Sequence, residues 1–440
     1  MKRIRSFVPV AFLILVALGM RILYAQYHGA ITVTADSYEY YSLAKKFATA
    51  PQLKLLVNPY RQPLYPLFIL TSIALTGGSG DIQSWKSFSA ATGLLAVIQS
   101  LVSVGAIIVL YQTLLRHPLL GRGPFIIGLV LSGNMLLIPW ERALLTESIS
   151  IALVTIMVSV FIDIWGKPRP RPILLLLVLG LLAAILRPAL MVIPALAFIL
   201  LLLKFKHTRL VGFVARALVV FLVFPIIYAA GNAWAWHYNG FSVIGEFNLL
   251  GRILTLRLPI EAGSGVPYFY NTMTSYRTKG RELNPYRYLD AVDPDIYAKT
   301  DRLNQLATFT HRVIAANMGT YLSGSFRDIP NAVAGVSPFI IETGRSPFFL
   351  LQRFFSALSA ITLASVLFLP ISLLRLMRLP HGPHSIETVF DGLGLVAWAH
   401  IGASVLLGYE DFGRLAAPSV PLLLLYTACW VRRAYPPTTS

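Results

Sequence analysis

This sequence predicts an all-α polytopic membrane protein. About ten transmembrane helices are expected, with interfacial helices in a first outer loop and a sizeable extracytoplasmic loop domain. Three observations predict it. First, 56% of the 440 residues are hydrophobic and only 13% are charged, against roughly 25% charged in soluble domains. Second, apolar runs of roughly 16–25 residues recur, the length that crosses a hydrocarbon core. The runs are continuous rather than alternating, which selects helices over a closed barrel. Third, Lys and Arg collect in the short loops after every second run, the positive-inside pattern.

Each element follows from its flanking loop. Lys2, Arg3 and Arg5 place the start of a first span, 7–24, in the cytoplasm. No small-x-small cleavage pattern follows, so the run reads as a signal anchor. The first outer loop, 25–87, contains a moderately apolar piece at 64–75 that is too short to cross and is expected along the outer interface. If it crossed, every later loop would change sides. A second span, 88–115, ends inside at Arg116, His117 and Arg122. Spans 124–140 and 143–165 meet outside at Glu141 and Arg142, and Lys167, Arg169 and Arg171 follow inside. Spans 173–186 and 189–203 meet outside at Arg187 and Pro188, with Lys204, Lys206 and Arg209 inside before span 210–230. Spans 350–374, 388–407 and 415–430 complete the set, with Arg375, Arg378, Arg432 and Arg433 inside and Tyr409, Glu410, Asp411 and Arg414 in an outer turn. The expected organisation is an N-terminal transmembrane catalytic module, 1–230; an extracytoplasmic loop domain, 231–349, of mixed charge and rich in Tyr and Asn; and C-terminal transmembrane helices, 350–440.

A net charge of +18 would suggest nucleic acid in a soluble protein. Here the basic residues are accounted for by inner loops, and no nucleic-acid partner is expected. The single cysteine, Cys429, excludes a disulfide within the chain and a Cys-based metal site. Asp293-Pro294-Asp295 reads as a turn. His381 and His384 lie in an inner loop without acids, and His237, His311 and His400 have no partners at ligand spacing. There is no phosphate-binding or dinucleotide loop and no nucleophile elbow.

The residues that can carry chemistry are charges at the ends of apolar runs, where each is costly enough to ask for a reason. Asp36 opens a helix-like stretch with Glu39, Tyr40 and Ala44; besides capping that helix, its carboxylate suits a general base. Arg61, in Tyr60-Arg61-Gln62-Pro63-Leu64-Tyr65-Pro66, suits a phosphate, which a guanidinium grips through two bonds. Glu141, Arg142 and Glu147 open the fourth span, with Glu147 one turn inside its apolar run. Arg187 sits flush with the membrane between two short spans. Asp411 and Arg414 precede Pro418 and Pro421.

In this order, these segments resemble membrane glycosyltransferases of the C-type superfamily (GT-C). The likeness is to the phospholipid-carrier-dependent branch, which includes protein mannosyltransferases and the lipid A aminoarabinose transferase. The matched elements are Asp36 with Tyr40 and Ala44; Arg61-x-Pro63-Leu64-Tyr65-Pro66; Leu144-Leu145-Thr146-Glu147; Leu186-Arg187-Pro188; and Arg414 with Pro418 and Pro421. They cover most of the first 200 residues and the last pair of spans. The resemblance implies an inverting transfer of a sugar from a polyprenyl-phosphate carrier to a glycan, lipid or protein acceptor. The site would lie on the extracytoplasmic face of a multi-pass protein of the bacterial plasma membrane, among membrane lipids. It implies Asp36 as base, Glu147 as a second catalytic acid, Arg61, Arg187 and Arg414 as ligands of the carrier phosphate, and Tyr65, Glu39, Arg142 and Asp411 as substrate contacts. Two positions depart from the family pattern. Ser37 stands where a second acid often follows the first, and Gln62 where Pro is frequent. No cofactor is expected; a divalent metal stays an open alternative. Two other classes compete: a transporter or flippase of a lipid-linked glycan, in which internal repeats and broken mid-membrane helices are usual, and a non-catalytic subunit of a polysaccharide assembly complex.

Overall fold

A computed structural model describes residues 2–29, 31–77, 85–117, 123–278, 284–334, 337, 340–378 and 388–434. Arg122, His381 and His384 lie outside the described residues. Twenty α-helices make up most of the described chain, and the one β-type contact is an isolated bridge between Thr32 and Ala143.

In chain order, α1 (Lys2–His28) leads to α2 (Ala35–Thr49), α3 (Leu64–Leu75), α4 (Trp85–Arg116), α5 (Gly123–Ser132), α6 (Glu147–Gly166), α7 (Pro170–Leu186), α8 (Val192–Phe205) and α9 (Val211–Trp236). A run of shorter helices follows: α10 (Val243–Thr255), α11 (Pro267–Thr278), α12 (Pro285–Val292), α13 (Thr300–Ala316), α14 (Met318–Phe326) and α15 (Ile329–Ala334). The chain closes with α16 (Phe349–Leu363), α17 (Leu369–Met377), α18 (Thr388–Leu407), α19 (Phe412–Ala416) and α20 (Val420–Ala434). Among the described residues, eight helical segments are long and apolar enough to cross a membrane: Val8–His28, Phe88–Arg116, Glu147–Gly166, Pro188–Phe205, Val211–Trp236, Phe349–Met377, Thr388–Leu407 and Phe412–Ala434. The apolar helices α3, α5 and α7 are shorter. The protein is thus a helical, polytopic membrane protein.

Two sequence expectations are corrected. The third span was expected to run unbroken over 124–140, but α5 stops at Ser132 and a 3-10 turn occupies Ile138–Arg142. Gly133 breaks the helix, the Asn134 side chain accepts a hydrogen bond from the backbone of Leu136, and Pro139 cannot supply a helical donor. The fourth span was expected from 143, but α6 begins at Glu147. Residues 142–144 instead join the bridge, with Thr32 N donating to Arg142 O and Leu144 N to Thr32 O. Glu147 is therefore the first residue of its helix, where an acid faces the positive end of the dipole, not a residue one turn inside.

α6 is the central helix, packed against α4 and α7. It tolerates Ser150, Thr155 and Ser159 among its apolar residues because each hydroxyl donates to the carbonyl four residues back. The α7–α8 break is written in Arg187-Pro188: the residue before a proline is pushed to extended backbone, and Arg187 has φ −160° and ψ 119°. A large apolar core joins the long helices. A second core, including Phe247, Leu254, Phe269, Tyr288, Phe309 and Tyr321, is built within 231–349.

Candidate functional site

Six of the nine expected site residues form one chain of alternating charges. Glu39 Oε2 accepts from Arg61 Nε at 2.6 Å. Arg61 Nη2 donates to Asp36 Oδ1 at 2.6 Å, and Arg414 Nη2 donates to Asp36 Oδ2 at 2.9 Å. Arg414 Nε then reaches Glu147 Oε1 at 2.5 Å, and Arg187 Nη1 reaches the same oxygen at 2.8 Å. The elements explain the meeting. Asp36 is the second residue of α2, Glu147 the first of α6, Arg187 the residue after α7, and Arg414 lies on the short α19 beyond α18. Four element ends therefore meet at one point. The guanidinium of Arg61 also lies 4.9 Å from the ring centre of Tyr40.

Exposure grades along the chain of charges. The side chain of Glu147 is 0% exposed, Asp36 27% and Glu39 54%. Burial pushes the Asp36 carboxyl up, but Arg61 and Arg414 outweigh it and hold the group below the usual carboxylate range. At the other end of α6, Asp163 pairs with Arg116 at 3.1 Å and stands 3.2 Å from His117. At the start of α18, fully buried Asp391 takes two bonds from Arg433, at 2.9 and 3.1 Å, and one from Ser372. The ion groups thus divide between the two ends of the bundle, and the six-residue network lies wholly at one of them.

Three expected site residues stand apart from it. Tyr65 is fully enclosed, bonded to Gln99 Oε1 at 3.0 Å and edge-on to Tyr40; it supports the wall behind Arg61 rather than facing an open surface. Arg142 donates to Gly29 O. Asp411 accepts from Ser337 Oγ at 2.6 Å, and burial raises its carboxyl above the usual range despite that bond and the nearby Arg414. Glu410 and Asp411 both have positive φ, 51° and 38°, so the turn that delivers Arg414 is held in a conformation non-glycine residues rarely adopt. A small cleft lined by Trp140, Val333, Ser337, Gly413 and Ala417 opens against the same turn.

Sequence reasoning missed five contributors. Arg21, a lone charge inside the first span, pairs with buried Glu141 at 2.5 Å; its presence in an apolar run was the available signal. His400 lies fully buried on α18, with Nδ1 2.7 Å from Ser419 Oγ, and Ser404 on the same helix bonds Leu415 O; together they hold the segment carrying Arg414. Tyr286, from α12, is 36% exposed and packs edge-on against Phe247. Burial first, and then the charge of Asp36, pushes its phenol up to about 12. Tyr60 Oη donates to Tyr297 O, tying the residue next to Arg61 to the same part of the 231–349 region.

Among the described residues no group of three or more His, Cys, Asp or Glu is arranged to hold a metal ion. Comparison with protein-family models, curated proteins and solved structures finds no match.

Proposed function

We propose that this protein is an inverting glycosyltransferase that moves a sugar from a polyprenyl-phosphate carrier to an acceptor on the extracytoplasmic side. One observation carries the reading. Arginines from three distant parts of the chain gather with Asp36 and Glu147 at one end of a membrane bundle, and the Arg414–Asp36 bond spans 378 positions. Desolvated guanidiniums at that depth suit an amphiphile with an anionic head and an apolar tail. In the reaction, an acceptor X–H attacks the anomeric carbon. The X–C bond forms, the C–O bond to the carrier phosphate breaks, the electron pair stays on the phosphate, and the proton goes to Asp36. Arg61 and Arg414 stabilise the charge that develops on the leaving phosphate. Glu147 acts through Arg414 and Arg187, which it holds in place. In this reading Tyr286 contacts the acceptor.

The same reading sets a topology of ten spans, adding α5 and α7 to the eight longer segments, with both termini cytoplasmic and 231–349 outside. The experiment is transfer by the full chain in nanodiscs from a panel of polyprenyl-phosphate sugars. Asp36→Asn should abolish transfer while expression holds. Unchanged transfer by Asp36→Asn removes Asp36 as base, and transfer from no donor by the unmodified protein sinks the reading.

A further inference from the structure

We propose that Asp36, in the resting protein, sits in the seat of the donor phosphate, and that the phosphate must displace it before it can act as base. This rests on the glycosyltransferase reading above and adds a built-in order to it.

The argument begins with geometry. Each oxygen of Asp36 engages a different arginine, Oδ1 with Arg61 at 2.6 Å and Oδ2 with Arg414 at 2.9 Å. A phosphate offers the same arrangement, two anionic oxygens to two guanidiniums. Charge points the same way. The network holds Arg61, Arg187 and Arg414 against Asp36, Glu39 and Glu147, so its formal charge is zero. A phosphate cannot join a balanced, largely buried set without excess negative charge unless a carboxylate leaves.

Burial selects which one. Glu147 is 0% exposed and holds both Arg187 and Arg414 through one oxygen, so moving it would take Arg187's carboxylate away and drag a charge out of an enclosed position. Among the described residues Glu39 bonds Arg61 alone, through Nε, at the exposed end. Asp36 is partly exposed, holds the central position and sits in the first turn of α2, where a rotamer change can carry it off both arginines while the helix stays in place. Both of its oxygens are engaged by guanidiniums at rest, which suppresses proton uptake. Displacement removes those partners and restores basicity beside the sugar carbon. The donor therefore binds first, and the base becomes competent only with the leaving group in place. An acceptor alone meets an inactive carboxylate.

The test is binding of a polyprenyl monophosphate to the full chain in zwitterionic nanodiscs, with uncharged polyprenol and an anionic phospholipid as comparison arms. Asp36→Asn removes the internal competitor. It should bind the carrier phosphate on the order of tenfold tighter than the unmodified protein, the scale of one charge-assisted contact, while transfer is lost. Arg414→Gln should weaken binding. Asp36→Ser is the second variant, expected to tighten in the same way if Asp36→Asn folds poorly. Equal or weaker binding by both Asp36 variants, with the unmodified protein binding well, overturns the displaced-seat proposal and leaves the transferase reading standing. The same tightening for the anionic phospholipid overturns the assignment of the seat to the carrier. No preference for the phosphate over polyprenol in any variant overturns both readings.

Discussion

Replacing Arg21 with Met should destabilise the protein more than replacing its partner Glu141 with Gln, and the two changes together should cost less than Arg21→Met alone. The side chains are 6% and 2% exposed, with a single 2.5 Å contact between them. Arg21 has other acceptors: Ala17 O, Ser132 O and Ser103 Oγ. Among the described residues Glu141 has no second donor, since its Oε2 is buried without a hydrogen-bond partner there. Arg21→Met therefore leaves a buried carboxylate uncompensated, at about 3–5 kcal/mol. Glu141→Gln leaves a cation still bonded to three oxygens, at roughly 1–3 kcal/mol. The double variant strands no charge, so its cost should fall about 2 kcal/mol below that of Arg21→Met. Equilibrium unfolding in mixed micelles, followed by tryptophan fluorescence with enclosed Trp140 beside Glu141, measures all three. Additive costs, or Glu141→Gln the worse single change, would refute the assignment of Arg21 and Glu141 as a mutually dependent buried pair.

Other outcomes follow from the same geometry. The Asp36 carboxyl lies below its ordinary value of 3.8 in the folded protein, so its stabilisation is full above that value and is lost as pH falls through the lowered one; acid unfolding curves of the unmodified protein and Asp36→Asn should begin to converge as pH falls below about 4, and curves that stay parallel would contradict the pairing of Asp36 with Arg61 and Arg414. Tyr286→Ala should raise the acceptor KM on the order of tenfold, the scale of one lost contact; an unchanged KM would remove Tyr286 from the site. Gly251→Ala should destabilise by about 1–3 kcal/mol, because a Cβ there would run into the Tyr409 ring, which belongs to the turn before Arg414. Accessibility tags at Gly77, and at Gly280, which lies outside the described residues, should both report the extracytoplasmic side; a cytoplasmic Gly77 would invert the topology.

Much of the candidate site was legible because membrane burial makes charge conspicuous. Asp36, Arg61, Glu147, Arg187 and Arg414 stood out as charges at the ends of apolar runs, and loop parity put them on one side before any contact was known. Element ends were harder to read. α5 and α6 are apolar on both sides of the 133–146 break, so hydropathy alone does not mark it. Tyr65 sits in a motif beside Arg61, yet the helix beginning at Leu64 turns its ring into the core against Gln99. Tyr286 lay in a stretch whose pattern carried no signal at all, and only the packing of α12 against Phe247 sets its position.

The sequence by itself determined what each segment must be. Continuous apolar runs must be helices, because lipid leaves backbone groups no other partner; Arg187-Pro188 marks a favoured break, because the proline ring disfavours helical backbone before it, although Pro225 stands inside α9. Only the tertiary structure decided that every arginine of the six-residue network is already matched by a carboxylate. That pairing depends on distances between the ends of α2, α6, α7 and α19, which lie far apart in sequence and which no local pattern encodes.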